Sequence, residues 1–293
     1  MKKHTSRIAV FCSFFALLAL FFAPPARAAE EALHKPQLYD YHGAPVDPLC
    51  FLSNIGTDDA PVYPTENCEW EDLMSDGDAA PLDEKRFVST GYKQEYVDPE
   101  TDEVFTSHGL VGYRAIGHVD GYEAVVQIEN GGGSGTFTSV MLLETIRDDE
   151  TETTTFRQHE VLSSGDRCMG GYSDARVEDG ELYFTVNTTM ADMFSLTGDR
   201  DREILKSEAA RNLPFCAICC YAEAEFSTEE FRGVRFPETR MKPDESDNDA
   251  ARCVENMVTL NVKHGHDYMG AEEFGTFIHE LEHVCLGRME GEE

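Results

Sequence analysis

The chain has 293 residues and a formal net charge of −32 at pH 7, because 56 acidic residues outnumber 24 basic ones. A field of this sign repels phosphate, so it excludes nucleic acid and anionic membrane surfaces as favourable partners. The length is that of one large domain or two small ones, with ample material for a hydrophobic core.

Residues 1–28 have the three parts of a secretory signal peptide. Three basic residues precede an apolar run at 8–23, and Ala26-Arg27-Ala28 then matches the site that signal peptidase reads. The apolar run is too short and too close to the start for a membrane span. We therefore predict a periplasmic or secreted protein that begins near Ala29 and has no membrane span. Loss of the four basic residues in the signal takes the net charge to −36.

Eight cysteines remain after Cys12 leaves with the signal. An even number of cysteines in an oxidising compartment predicts disulfides, here up to four. The pair Cys253 and Cys285 is placed to tie down the end of the chain. The candidates are Cys50, Cys68, Cys168, Cys216, Cys219, Cys220, Cys253 and Cys285.

The segment at 29–84 holds six of the chain's twelve prolines. Proline breaks helices and cannot donate a hydrogen bond to a β ladder, so we predict an irregular N-terminal segment. A Cys50–Cys68 disulfide would staple it. The acidic, proline-spaced stretch at 71–84 has the composition of a linker.

The part of the chain at 85–190 is predicted to be a β-rich domain. Two pairs of strands are each joined by an Asp-Gly dipeptide, Asp120-Gly121 and Asp179-Gly180, which is a strong hairpin signal. The strands are Val111–His118 with Tyr122–Glu129, and Ser173–Val177 with Glu181–Thr188. Consecutive strands with short loops predict an antiparallel meander, and the sequence leaves open whether it forms a barrel or a sandwich.

The pattern changes in the C-terminal part at 191–293. Helical composition is found at Asp199–Leu213 and Ala271–Leu286, and Tyr221–Ser227 and Met257–Val262 alternate like strands. The predicted fold class is therefore α+β. It combines an antiparallel β meander with a disulfide-bearing C-terminal α/β part that packs on it and ends in a helix.

The last predicted helix contains the HExxH sequence His279-Glu280-Leu281-Glu282-His283. Residues i and i+4 share a helix face, so both imidazoles can reach one zinc ion, with Glu280 as the base on a metal-bound water. The apolar residues of the helix lie on another stripe, Phe274, Phe277, Ile278, Leu281 and Cys285. The motif resembles the active-site helix of the zincins, a group of zinc metallopeptidases. This resemblance covers five residues and implies a zinc-dependent hydrolase with His279 and His283 as ligands.

The third zinc ligand is the difficulty with that hypothesis. Zincins take it from downstream of the motif, but only ten residues follow His283 and none is a histidine. An upstream ligand would be needed, for which His264 and His266 are the candidates. The alternative is a polar helix face without a cofactor, and we favour it because a standard third ligand is missing.

Two cysteine-bearing segments allow a functional and a structural interpretation. Cys216-Ala217-Ile218-Cys219 is a CxxC sequence, but Pro214 and Phe215 precede it where a redox motif would follow a strand, so structural disulfides are favoured. The adjacent residues Cys219 and Cys220 should then bond outward, to two separate partners such as Cys168. The loop Gly165–Gly171, which carries Cys168, is charged and glycine-flanked. Loops of this kind often bind ligands, and a disulfide-pinned connection is the favoured alternative.

Two functions follow from these patterns. The favoured one is a noncatalytic binding or structural protein outside the cytoplasm, with an unidentified ligand or protein as its partner. The alternative is the zinc-dependent metallohydrolase based on the HExxH sequence. Calcium binding is weakly indicated, since the acidic clusters at 98–103, 199–203 and 244–249 lack the glycine and the terminal glutamate of an EF-hand loop.

Overall fold

The structure is a computed structural model. It describes residues 37–52, 61–65, 68, 73–75, 87–197, 203–228, 230–243 and 248–287. The signal peptide predicted at 1–28 lies outside these residues, as does most of the linker predicted at 71–84.

A seven-stranded antiparallel sheet forms the first layer, with the strand order β1-β7-β6-β5-β4-β3-β2. Its five long strands follow one another in the chain and each pairs with its neighbour in sequence, which confirms the predicted antiparallel meander. Its strands are β1 (Val62–Pro64), β2 (Leu73–Ser75), β3 (Val88–Val97), β4 (Val104–Val119), β5 (Tyr122–Asn130), β6 (Phe137–Asp148) and β7 (Thr153–Asp166).

The N-terminal segment is more regular than its prolines predicted. It contributes a short 3-10 helix, Pro48–Phe51, and the two edge strands β1 and β2 of the large sheet. Proline is tolerated there, because an edge strand leaves one row of backbone groups outside the ladder. The interpretation of 29–84 as wholly irregular, and of 71–84 as a linker throughout, was therefore wrong where β1 and β2 form.

A five-stranded antiparallel sheet forms the second layer, with the order β12-β11-β10-β9-β8. Strands from both sides of residue 190 share this sheet, so the sequence boundary predicted there falls within one structural layer. The strands are β8 (Tyr172–Glu178), β9 (Glu181–Thr188), β10 (Ala222–Ser227), β11 (Phe231–Arg235) and β12 (Tyr268–Gly270).

Both predicted Asp-Gly hairpins are confirmed. Asp120 and Gly121 have φ angles of 51° and 90°, and Asp179 and Gly180 have 54° and 84°. Positive φ at both central residues is the geometry of a type I′ turn, whose twist matches that of the flanking strands. These turns therefore fix the β4–β5 and β8–β9 pairings locally.

The large sheet is buried on both faces. Ala124 and Val126 of β5 face one hydrophobic cluster with the five-stranded sheet and the C-terminal helices, while Val125 between them faces a second cluster under the N-terminal segment. This follows from the two-residue side-chain period of a strand. The curled sheet forms half a barrel and is not closed, since the order of each sheet has two edge strands.

The helices are α1 (Met190–Met193), α2 (Glu208–Arg211), α3 (Asp249–Lys263) and α4 (Ala271–Leu281). The prediction of a helix at Asp199–Leu213 is only partly confirmed: a 3-10 helix at Glu203–Lys206 and α2 occupy it, and residues 198–202 lie outside the described part. The helix predicted at Ala271–Leu286 is confirmed as α4, which continues as a π-helical turn, Glu282–Leu286.

The strand predicted at Met257–Val262 was wrong, because these residues belong to α3. The Asn248 side chain caps this helix by accepting a hydrogen bond from the Ala251 amide. Ala250, Val254 and Val258 then recur every four residues and are buried. Burial of that helical face outweighs the β propensity of the branched residues.

All eight cysteines of the predicted mature chain are paired, as predicted. Both pairings proposed from the sequence, Cys50–Cys68 and Cys253–Cys285, are present, and the second joins α3 to the π turn. Cys219 and Cys220 have separate partners, as expected, but the expectation that both bond outward was wrong for Cys219, which pairs within the CxxC sequence. These two bridges are Cys216–Cys219 and Cys168–Cys220.

Candidate functional site

A concave cavity of about 670 Å³ opens between the end of β7, β9 and the segment after β9. This volume falls in the range of small-molecule sites. Its described lining residues come from several separate stretches of the chain. They are Val161, Leu162, Ser163, Ser164, Met169, Gly170, Phe184, Val186, Thr188, Asp192, Ser195, Leu196, Phe215 and Phe226.

One wall of the cavity is the loop Gly165–Gly171, which the sequence singled out. The loop is tightly folded: a Cβ atom on Gly165 would collide with the backbone of Met169, and Gly170 has a φ of 81°. The Gly170 amide donates to the carbonyl of Asn187 at 3.0 Å, and the Asn187 amide donates to Gly171 at 2.8 Å. Backbone hydrogen bonds therefore hold this wall against β9.

The same loop is also anchored covalently. Its Cys168 is bonded to Cys220, which is 52 positions later in the chain, and the Cys168 amide donates to the carbonyl of Ala217 at 3.2 Å. The structural interpretation of this loop, a disulfide-pinned connection, is confirmed. The loop nevertheless lines the cavity through Met169 and Gly170, so the anchor also fixes the shape of a candidate binding site.

The floor and the rim of the cavity are apolar. Phe184 of β9 and Phe226 of β10 are direct register partners, and their rings stack with centroids 5.3 Å apart. At the rim, the lining residues Val161 and Phe215 are 40% and 55% exposed. Exposed apolar groups around a concave site are typical of ligand-binding regions.

The polar part of the lining consists of hydroxyl groups and one carboxylate. The hydroxyl-bearing lining residues are Ser163, Ser164, Thr188 and Ser195, and Asp192 has the one charged side chain among the described lining residues. Asp192 lies at the start of α1, where its Oδ2 accepts a hydrogen bond from the Thr189 hydroxyl at 2.8 Å. The Thr189 Oγ1 atom in turn accepts from the Asp192 amide at 3.1 Å, so the carboxylate is held in one orientation.

Sequence reasoning missed most of this lining. Thr189 and Asp192 form a Thr-x-x-Asp capping pattern, which is readable as the start of a helix and could have predicted α1. Nothing local connects that pattern with Phe184, Phe226 or Phe215, because the tertiary fold brings these residues together. The loop Gly165–Gly171 was the one part of the site that the sequence singled out as a possible binding segment.

The three residues of the HExxH hypothesis lie on the solvent side of the last helix. His279 is 86% exposed at its side chain, and Glu280 and His283 are also exposed. The predicted apolar stripe on the other side is confirmed: Phe274, Ile278 and Leu281 are fully buried. His279 Nδ1 lies 3.9 Å from Glu282 Oε2, which is a loose contact within the same helix.

The upstream histidines are not brought to the HExxH turn. His264 and His266 are exposed in the connection between α3 and β12, and His266 Nδ1 lies 3.3 Å from Glu273 Oε1 in the first turn of α4. Glu273 precedes His279 by six residues, which is about 9 Å along a helix axis. In the described part of the chain, no group of three or more His, Cys, Asp or Glu is placed to hold a metal ion.

A buried ionic cluster is a second feature that the sequence did not reveal. Arg240 donates through Nη2 to Glu255 Oε1 at 3.0 Å, and the Tyr221 hydroxyl donates to Glu255 Oε2 at 2.8 Å. Thr259 completes the cluster by accepting from Arg240 Nη2 and donating to Glu255 Oε1. Burial, followed by the charge of Glu255, raises the pKa of Tyr221 far above its usual value. Because these groups hydrogen-bond to one another, we interpret the cluster as a contact that stabilises the packing of α3 against the second sheet.

Comparisons with known protein families, with characterised proteins and with solved structures found no match. Among the described residues, no helix has the length and apolar character that crossing a bilayer requires.

Proposed function

We propose that this protein is an exported, noncatalytic binding protein that holds a small ligand with a large apolar part in the cavity between β7, β9 and α1. The observation that carries the proposal is the cavity itself. It has a volume of about 670 Å³, a stacked Phe184–Phe226 floor and an anchored loop as one wall. A preformed concavity that offers apolar side chains together with a few fixed polar groups is the usual form of a small-molecule site.

The arrangement favours binding over catalysis. The cavity brings together serine and threonine hydroxyls with one carboxylate, and its described lining contains no histidine or cysteine. A hydroxyl nucleophile needs an adjacent base to be activated, and Asp192 Oδ2 is engaged by Thr189 rather than by a lining serine. The geometry therefore provides surfaces for holding a molecule but no paired nucleophile and base.

Export is proposed from the signal sequence and is supported by the disulfides. Four bridges are characteristic of a chain that folds in an oxidising compartment. N-terminal sequencing of the exported protein should begin near Ala29. A mature protein that retains residue 1 and stays in the cytoplasm would contradict this part of the proposal.

Binding can be tested with the neutral dye N-phenyl-1-naphthylamine, whose fluorescence rises in apolar surroundings. We expect saturable binding at one dye per chain. Ser195→Trp should fill the cavity and weaken dye binding, because Ser195 is a half-buried lining residue. Ser134→Trp is the matched control, since Ser134 is exposed in the turn between β5 and β6 and does not line the cavity.

Circular dichroism spectra and melting temperatures should first show that both variants fold. Dye binding that is absent, or that is affected equally by Ser195→Trp and Ser134→Trp, would overturn the proposed function.

A further inference from the structure

We infer that the cavity selects a hydrophobic organic amine, whose ammonium group is bound by the carboxylate of Asp192. This inference rests on the proposed function, because it names the class of ligand that the same cavity takes. It begins from the charge of the lining. Asp192 is the one charged side chain among the described lining residues, and no lysine or arginine is among them.

The sign of that charge decides between ligand classes. A carboxylate or phosphate ligand would lose its hydration on entering the cavity. It would meet Asp192 and find no cation among the described lining residues. The field of a chain with a net charge of −32 acts in the same direction. An alcohol would be tolerated by the hydroxyl groups. An ammonium group would gain a charge-assisted hydrogen bond in addition.

The geometry of Asp192 leaves it able to make that bond. Its Oδ2 accepts from Thr189, which fixes the side chain, and the structure gives Oδ1 no hydrogen bond within the described part of the chain. Asp192 is half-buried, so its carboxylate is partly screened from water and a bound cation would interact with it more strongly than at an open surface.

The rest of the lining suits an amine with an apolar body. The Ser195 and Ser163 hydroxyls are able to accept the remaining N–H groups of an ammonium. The aromatic rings of Phe184, Phe226 and Phe215 offer apolar surface, and ring faces attract cations. The described lining therefore combines one anionic group with aromatic surface, which is the recognition chemistry of a hydrophobic ammonium compound.

The test is competition against the neutral dye by three compounds with the same unbranched decyl chain: decylamine, decanol and decanoate. In about 0.15 M sodium chloride, which limits the long-range field, we expect decylamine to displace the dye at about a tenfold lower concentration than decanol. Decanoate should be the weakest competitor. This comparison uses the unmodified mature protein and needs no variant.

Asp192→Asn then tests the residue. Asparagine retains an oxygen that accepts from Thr189, so the fold should be retained. The dye is titrated against the variant first, and decylamine and decanol should then displace it at nearly equal concentrations. Asp120→Asn is the matched control: it removes the same charge from an exposed turn where asparagine suits the positive φ, and it should keep the preference for decylamine.

The outcomes separate the two proposals. Dye binding with equal displacement by decylamine and decanol, or a preference for decylamine that survives in Asp192→Asn, overturns the inference and leaves the proposed function standing. Absence of dye binding by the unmodified protein overturns the proposed function and the inference with it.

Discussion

Cys168 and Cys220 are joined by a disulfide that ties the loop after β7 to the segment before β10. The bridge closes a separation of 52 positions and holds the wall of the cavity that contains Met169 and Gly170. One loop therefore carries both a stabilising cross-link and part of the candidate binding surface. Loss of the bridge should affect ligand affinity as well as stability, and the two effects can be measured separately.

The first prediction concerns this bridge. Replacing Cys168 and Cys220 together by serine should lower the free energy of unfolding by about 2–4 kcal/mol, because the unfolded chain regains the freedom that the cross-link removed. Dye affinity should fall as well, since the loop loses its anchor. Denaturant unfolding and dye titration measure the two effects.

The control for that variant is Cys253→Ser with Cys285→Ser. This pair joins α3 to the π turn, and neither residue lines the cavity. Stability should fall by a comparable amount while dye affinity is retained. The same loss of dye affinity in both double variants would show that it reflects general loosening rather than the loop.

The second prediction concerns the buried pair Arg240 and Glu255, whose side chains are 3% and 12% exposed. Arg240→Met should destabilise the protein by about 3–5 kcal/mol, because it leaves the Glu255 carboxylate buried without its cation. Adding Glu255→Leu should recover much of the loss, since the double variant removes both charges. Denaturant unfolding of the two variants checks this, and a double variant no better than the single one would contradict the ion-pair explanation.

The third prediction is a pH dependence at Glu129. Burial raises the pKa of this carboxyl above its usual value of 4.5, while a hydrogen bond from Tyr92 acts in the opposite direction. A carboxyl with a raised pKa favours the folded state at low pH, and this contribution is lost as the pH rises through the folded-state pKa. Glu129→Gln should therefore be more stable than the unmodified protein at neutral pH.

The difference should shrink as the pH falls through the folded-state pKa towards 4.5, and it should be small below 4.5, where Glu129 becomes protonated in both the folded and the unfolded states. Melting temperatures of both proteins across this range provide the measurement. A constant difference at all pH values would show that the variant acts through packing and not through the charge.

The fourth prediction concerns the HExxH sequence. Because His279 and His283 are exposed, their joint replacement by glutamine should change the free energy of unfolding by less than about 0.5 kcal/mol. Metal analysis tests the alternative function directly. The metallohydrolase would be supported if protein purified without added metal holds about one zinc per chain and the double variant loses it. In that case Glu280→Gln should abolish hydrolysis and retain the metal.

The fifth prediction follows from the net charge of −36 expected for the mature chain. Raising sodium chloride from about 0.1 M to about 1 M shortens the Debye length from about 10 Å to about 3 Å and weakens self-repulsion. The melting temperature should therefore rise over this range. A melting temperature that stays flat or falls would exclude charge repulsion as a major cost in the folded state.

The sequence by itself determined the features that depend on neighbouring residues. Asp120-Gly121 and Asp179-Gly180 adopt positive φ at little cost, so each fixed its hairpin without help from the rest of the fold. The apolar stripe of α4 was readable because helix periodicity is a local property. Export and disulfide formation were likewise predicted from the signal pattern and from an even number of cysteines.

The tertiary structure decided everything that depends on residues distant in the chain. Met257–Val262 has the branched residues of a strand, but burial of the face that carries Val254 and Val258 made it part of α3. The ion pair between Arg240 and Glu255 could not be predicted from the sequence, because the segment between the two residues does not determine how far apart their side chains lie in the fold. The cavity is the strongest case. Asp192 and Phe226 are 34 positions apart and line one concave site only in the folded chain, because packing and not sequence proximity determines which residues surround a cavity.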